Sequence, residues 1–238
     1  PFEFHDNGDL IGWFEDITGY WHLTLLIPSG RLRDGPESHW LSAMRDIAKI
    51  HDGDFRLTCN QNLTIAKIRP TARESIETIL HQHQIPFQKS TSALRQRAIS
   101  CVAFPTCGLA MAESERWLPE LLERLEPVLL ELGLQDTPIN LRVTGCPNGC
   151  GRPFLGEIGL VGKSPGRYNL YLGGAHDGSR LNGLYQEALT EGEILETLVS
   201  LLKEYAEHRL YQEHLGDFVI RRKYIRALKD DQDFPLSL

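Results

Sequence analysis

Residues 139–161 read INLRVTGCPNGCGRPFLGEIGLV: a short apolar run, a glycine- and proline-rich turn carrying two cysteines, and a second apolar run. The runs at 139–144 and 158–161 are short, apolar and bounded by turn residues, which suits strands buried in a sheet. Residues 168–172 continue the pattern as a third strand. Between the first two, Gly145, Gly149 and Gly151 permit positive φ and close backbone approach, and Asn148-Gly149 is a strong turn dipeptide. Two thiols and several amide N–H groups are therefore expected to converge on one point, an arrangement suited to an anionic cofactor.

Upstream, CVAFPTCG at 101–108 supplies a second cysteine pair, so Cys101, Cys107, Cys146 and Cys150 stand as C-x5-C and C-x3-C, with Cys59 apart from them. Three readings compete. Disulfide frameworks suit small secreted chains that lack a core, whereas this chain has 238 residues and an odd cysteine count. Structural zinc fits four thiolates but favours knuckles tighter than C-x5-C. An iron–sulfur cube is a wider object, and apolar, Gly- and Pro-rich loops such as these can wrap it and limit water at its ligands.

The rest of the chain reads as two α/β units. Residues 21–27 begin with strand alternation and stop at Pro28-Ser29-Gly30, and 38–51 follow as a helix with Leu41, Met44, Ile47 and Ala48 on one stripe. Residues 55–58 and 63–68 flank the polar turn Cys59-Asn60-Gln61-Asn62 as a hairpin. Thr71-x-x-Glu74 then fits a capping box opening a helix on Ile76, Ile79 and Leu80. The order is β-α-β-β-α over residues 1–90. Residues 89–100 lose apolar periodicity and turn basic, which places a boundary there. In the second unit, 91–238, residues 117–132 form a leucine-rich helix with Gly133 at its stop, and 193–210 form another. Residues 230–238 read as an exposed tail.

Composition narrows the classes. With 41% hydrophobic and 24% charged residues, the chain is globular rather than disordered, collagen-like or coiled-coil. No apolar run approaches the ~20 residues of a membrane span, and the start lacks the marks of a signal peptide, so a cytoplasmic protein without a membrane partner is expected. A net charge of −7 argues against nucleic acid as partner.

The segments CVAFPTCGLAMAESERWLPEL and LRVTGCPNGCGRPFLGEIGLVGKSPGRYNLYLGG resemble the sirohaem and 4Fe–4S region of the sulfite and nitrite reductase family, in its assimilatory, NADPH-dependent branch. The likeness extends from HDNGDLIGWFED and TCNQNLTIAKI to GDFVIRRKYIR. It implies an α+β fold, a ferredoxin-like β-α-β-β-α unit at 1–90 followed by a mixed α/β sirohaem and iron–sulfur unit at 91–238. It further implies that Cys101, Cys107, Cys146 and Cys150 ligate the cluster, that the Cys150 thiolate also ligates the sirohaem iron, and that sulfite undergoes six-electron reduction to sulfide in sulfur assimilation. Nitrite is the alternative substrate, and a cofactor-free structural module the alternative role.

The resemblance covers only the second of the family's two pseudo-symmetric halves, and the Arg and Lys residues that cradle the small anion lie in the first. The chain is thus expected to be part of a longer polypeptide, to pair with its N-terminal half, and to be inactive alone. A flavoprotein using NADPH, or a ferredoxin, would supply electrons. Sirohaem carries carboxylates, so Asn148 and then Arg56, Asn60, Gln61 and Asn62 are further candidate contacts, as are Arg152, Lys163 and Arg167 on loops. Cys59 is read as a buried thiol. The histidines show no ligand spacing; His81 and His83 fall on different helix faces and receive no chemical role.

Overall fold

The computed structural model describes residues 7–87 and 91–228. The fold is α+β and divides into two compact units, one spanning Gly8–Thr91 and the other running from Ser92 onward. The expected tail at 230–238 lies outside the described residues.

In the first unit, β1 (Gly12–Glu15), β2 (Trp21–Leu25), β3 (Asp54–Leu57) and β4 (Leu63–Ile68) form an antiparallel sheet in the order β1-β2-β4-β3. Register pairs Leu23 with Ile65 and Leu25 with Leu63, so alternate side chains fall on one face. That face meets Ala43, Met44 and Ile47 of α1 (Trp40–Ile50) and Ile76 and Leu80 of α2 (Arg73–Gln82), all buried. Each of the Met, Ile and Leu side chains contributes about 1.5–3 kcal/mol through lost apolar surface. The polar face of β2 is satisfied locally: the His22 ring lies 3.0 Å from Asp16 and stacks on Phe14, and Thr24 shares a 2.9 Å hydroxyl bond with Thr64. Two expectations change here. The strand β1 precedes the predicted order, and the capping box at Thr71 does not form. Pro70–Ala72 folds as a 3-10 turn, and α2 begins at Arg73 without a side-chain cap.

The second unit carries a five-stranded sheet in the order β5-β6-β7-β8-β9, from Ile99–Ser100, Leu141–Thr144, Ile158–Ser164, Arg167–Leu172 and Gly183–Thr190. The first three strands are parallel neighbours and the last pairings are antiparallel. One face is covered by α4 (Leu118–Glu131) and α5 (Glu191–His208), whose Leu121, Leu125, Leu129, Leu198 and Leu202 pack on Leu141, Val143, Leu160 and Leu170. Gly133 takes the left-handed conformation expected just beyond α4. The predicted boundary is itself structured. Ser92 caps the short helix α3 (Ala93–Arg97), and Arg95 grips Glu126 of α4 through two bonds of 2.7 and 2.8 Å. The strand β9 and the helix α6 (Leu215–Arg221) are additions to the predicted elements.

Candidate cofactor-binding site

The two cysteine loops leave the ends of adjacent parallel strands. Cys101 follows β5 directly, and the 145–156 loop follows β6. Parallel strands end on the same side, so both loops emerge together, and main-chain bonds lock them. The Cys101 N–H donates to Val143 O at 3.1 Å, and Met111 N–H and Ala112 N–H both donate to Gly145 O, at 2.8 and 3.0 Å. Within the loops, Cys107 N–H donates to Ala103 O at 2.8 Å and Gly149 N–H to Cys146 O at 3.3 Å.

Glycine is required where these backbones cross. A Cβ on Gly145 would stand 2.7 Å from Ala112 O, and one on Gly151 would stand 2.2 Å from Val143 O and 3.3 Å from Cys101 N. Any side chain at either position would force the two loops apart. The same crossing brings Gly145 N–H to 3.1 Å from Cys101 Sγ. A main-chain donor aimed at sulfur stabilises thiolate charge and is a recognised lever on the potential of a metal–sulfur centre.

The four sulfurs differ in setting. Cys146 is buried, Cys101 and Cys107 are half-buried, and Cys150 is exposed with Asn148 on the same turn. Val102, Leu109 and Met111 on the other loop are also exposed, a concentration of apolar surface beside the thiols. No disulfide joins any of the five cysteines. Among the described residues, no three cysteine sulfurs lie within 4.8 Å of one another.

The other candidates separate from this group. Arg56, Asn60, Gln61 and Asn62 belong to the first unit, the cysteines to the second. Asn62 is buried, with its Nδ2 donating to Asp9 at 2.7 Å and its Oδ1 accepting from Ile27 N–H at 3.1 Å, so this amide is engaged in holding the turn. Asn60 also donates to Asp9, at 3.2 Å, and Arg56 is exposed and paired with Asp54. Gln61 holds positive φ in the turn. Cys59 is exposed rather than buried, because it lies in the hairpin turn and not on a core face. Arg167 donates to Ala188 O at 2.9 Å, Lys163 is half-buried on β7, and Arg152 is left-handed within the cysteine loop. His81 packs edge-on to Phe87, and His83 stands 2.9 Å from Asp46.

Residues 15–83 match the family model described as the nitrite/sulfite reductase ferredoxin-like half domain. The similarity extends over nearly the whole chain. Over 98% of its length it is 50% identical to the sulfite reductase (NADPH) hemoprotein beta-component of Shouchella clausii (strain KSM-K16). Against the proteins of the same description from Staphylococcus epidermidis (strain ATCC 12228 / FDA PCI 1200) and Bacillus subtilis (strain 168), it is 51% and 50% identical, again over 98%. In all three cases the chain spans 41% of the relative's length. The fold alone also aligns with the structure of the Mycobacterium tuberculosis NirA protein, at a TM-score of 0.75 and 23% identity over 93% of this chain and 42% of that one. Dissimilatory sulfite reductase I (DsrI) aligns at a TM-score of 0.61 and 12% identity, over 86% of this chain and 67% of that one.

Proposed function

We propose that this chain is the C-terminal part of a sulfite reductase haemoprotein, in which Cys101, Cys107, Cys146 and Cys150 hold a 4Fe–4S cluster and the Cys150 thiolate also ligates the sirohaem iron. The observation that carries the reading is the interlock of the two cysteine loops, with a main-chain donor already aimed at one sulfur. When bound, the cofactor pair would supply single-electron storage and an iron that binds the substrate's sulfur atom. The chain's own groups do the rest. The buried and half-buried sulfurs of Cys146, Cys101 and Cys107 suit ligands enclosed on one side, while exposed Cys150 is the thiol free to face a second metal. Asn148 on the same turn presents its amide outward, to the polar edge of a macrocycle. Arg56 and Gln61 are lesser candidates for that edge, and Asn60 and Asn62 act through Asp9 as positioning residues for their turn.

The reaction takes hydrogen sulfite to hydrosulfide. Six electrons and six protons enter, three S–O bonds break, and three waters leave. The donor is a reduced flavoprotein drawing on NADPH, or a ferredoxin, and the anion-neutralising Arg and Lys side chains come from the N-terminal part of the polypeptide. A reducing, cytoplasmic setting keeps the thiolates competent. Nitrite is the second reading, because the matching half-domain description names both anions.

The test is anaerobic reconstitution of the full-length protein, counting iron and acid-labile sulfide beside the absorption spectrum. Five irons, four from the cluster and one from sirohaem, and four sulfides per chain with sirohaem bands are expected, lost in Cys101→Ser, Cys107→Ser, Cys146→Ser and Cys150→Ser and retained in Cys59→Ser. Full cofactor retention in Cys146→Ser and Cys150→Ser, or loss only in Cys59→Ser, would overturn the assignment.

A further inference from the structure

Glu157, His176 and His214 bring one carboxylate oxygen and two imidazole nitrogens within 4.8 Å of one another, as no other His, Cys, Asp or Glu trio does among the described residues. Glu157 immediately precedes β7, His176 follows β8, and His214 is the residue before α6. Glu157 is fully buried and His176 is 5% exposed. The carboxylate is held from several sides: Oε1 accepts Gly216 N–H at 3.0 Å, and Oε2 accepts Asn140 N–H at 2.9 Å and lies 3.0 Å from His176 Nδ1. Main-chain donors thus reach both oxygens. The charge-capable side chain beside it is His176, and among the described residues no lysine or arginine bonds it.

A cavity of about 290 Å³ opens onto the two histidines, with Asp177, Arg180 and Asp217 also on its wall. The Arg180 charge is taken up by Asp217 at 2.6 Å, and its Nε donates to Gly173 O at 2.9 Å, so it does not fill the gap. The two imidazoles lie parallel, 3.9 Å apart with 3° between their planes.

We propose that Glu157, His176 and His214 form a binding site for one divalent transition-metal ion of the zinc class, with a water from the cavity as fourth ligand. Two imidazoles and one carboxylate are a borderline donor set that suits zinc over the harder, oxygen-seeking magnesium and calcium. The 3.0 Å between His176 Nδ1 and Glu157 Oε2 is close to the roughly 3.3 Å between ligands in a tetrahedron with bonds of about 2.0–2.1 Å. Lone pairs of stacked rings do not converge, so His214 turns out of the stack toward the ion, into the cavity it lines. The ion places positive charge beside the buried carboxylate and ties together the starts of β7 and α6 and the turn after β8. This site uses none of the cysteines.

The experiment is zinc titration of the full-length protein followed by zinc K-edge absorption spectroscopy, which ignores any iron present. One tightly held zinc with only a nitrogen/oxygen shell at about 2.0–2.1 Å is expected. His214→Ala should weaken binding by roughly tenfold or more, and exposed His208→Ala should leave it unchanged. His214→Asn, closer in size and polarity, serves if the alanine variant does not fold, as judged by circular dichroism. A sulfur shell at about 2.3 Å in the wild type, no stoichiometric zinc, or unchanged affinity in a folded His214 variant overturns the proposal. Iron and zinc are counted separately, so failure here leaves the reading of the cysteines standing, and the reverse.

Discussion

The four cysteines and the Glu157–His176–His214 trio occupy the same unit, yet they are built on opposite principles. Glu157 and His176 are buried and His214 is half-buried, and the carboxylate accepts two main-chain donors and faces an imidazole, so Glu157 and His176 are positioned before any ligand arrives. The cysteine loops are held by backbone crossings, while Cys150 and the apolar Val102, Leu109 and Met111 remain exposed. The difference teaches where the folding energy resides. In the trio the chemistry-bearing side chain is itself part of the core; in the cysteine site the glycines and carbonyls form the scaffold, and the sulfurs are passengers on it.

Substitutions should separate the two designs. Glu157→Ala is expected to cost the most, about 3–5 kcal/mol, because Asn140 N–H, Gly216 N–H and His176 lose a buried partner together. Urea denaturation measures it, and a cost below about 1 kcal/mol would mean that the trio is no more structural than the thiols. Gly151→Ala comes next at about 1–3 kcal/mol, since its Cβ meets Val143 O with backbone on both sides and nothing flexible to yield. Iron retention should fall along with stability. A variant that keeps both would show that the loops are not locked at this crossing.

The two designs also differ in how far sequence reveals them. Cysteines four or six positions apart, set among glycines and prolines, announce a shared turn, because the local spacing is the geometry. Glu157, His176 and His214 are 19 and 38 positions apart, and only the sheet brings them together; single histidines carry no signal of such a meeting. The leucine stripe of α4 and the β3–β4 hairpin followed from periodicity and turn chemistry. β9 did not, because its half-exposed residues show no clean alternation. Helix starts show the same limit. Thr71-x-x-Glu74 and Thr190-x-x-Glu193 fit one motif, but Pro70 draws Thr71 into a 3-10 turn, while Thr190 is extended and exchanges both capping bonds with Glu193. Cys59 was misjudged for a related reason: its residue type is often buried, but a hairpin turn has no inside.

An ion pair of intermediate exposure sharpens the scale between the two sites. Glu126 accepts two bonds from Arg95 and one from Ser92, and the Arg95 bonds hold its pKa below the ordinary carboxylate value. Because the folded value is depressed, the stabilisation is complete above the unfolded value of 4.5 and is lost as pH falls through the folded one. Glu126→Gln should cost about 0.5–1.5 kcal/mol at pH 7, and the gap from wild type should close on acidification. A gap that widens instead would show that the pair is not what joins α3 to α4.

The smallest expected effect on folding falls at the residue given the largest chemical role. In protein prepared without iron, Cys150→Ser should change stability by no more than about 0.5 kcal/mol, because the side chain is exposed and the turn is held by Gly149 at φ +69° and by the 2.8 Å main-chain bond from Arg152 N–H to Gly149 O. The same variant should fail to retain the cluster. Paired measurements, denaturation of the iron-free protein and iron content after reconstitution, test both halves. If Cys150→Ser destabilised the iron-free protein as much as Gly151→Ala, the thiol would be part of the scaffold and the contrast with Glu157 would collapse. If it folds normally and loses iron, the exposed sulfur has no structural task, and its place on a strained, glycine-dependent turn is explained by what it binds.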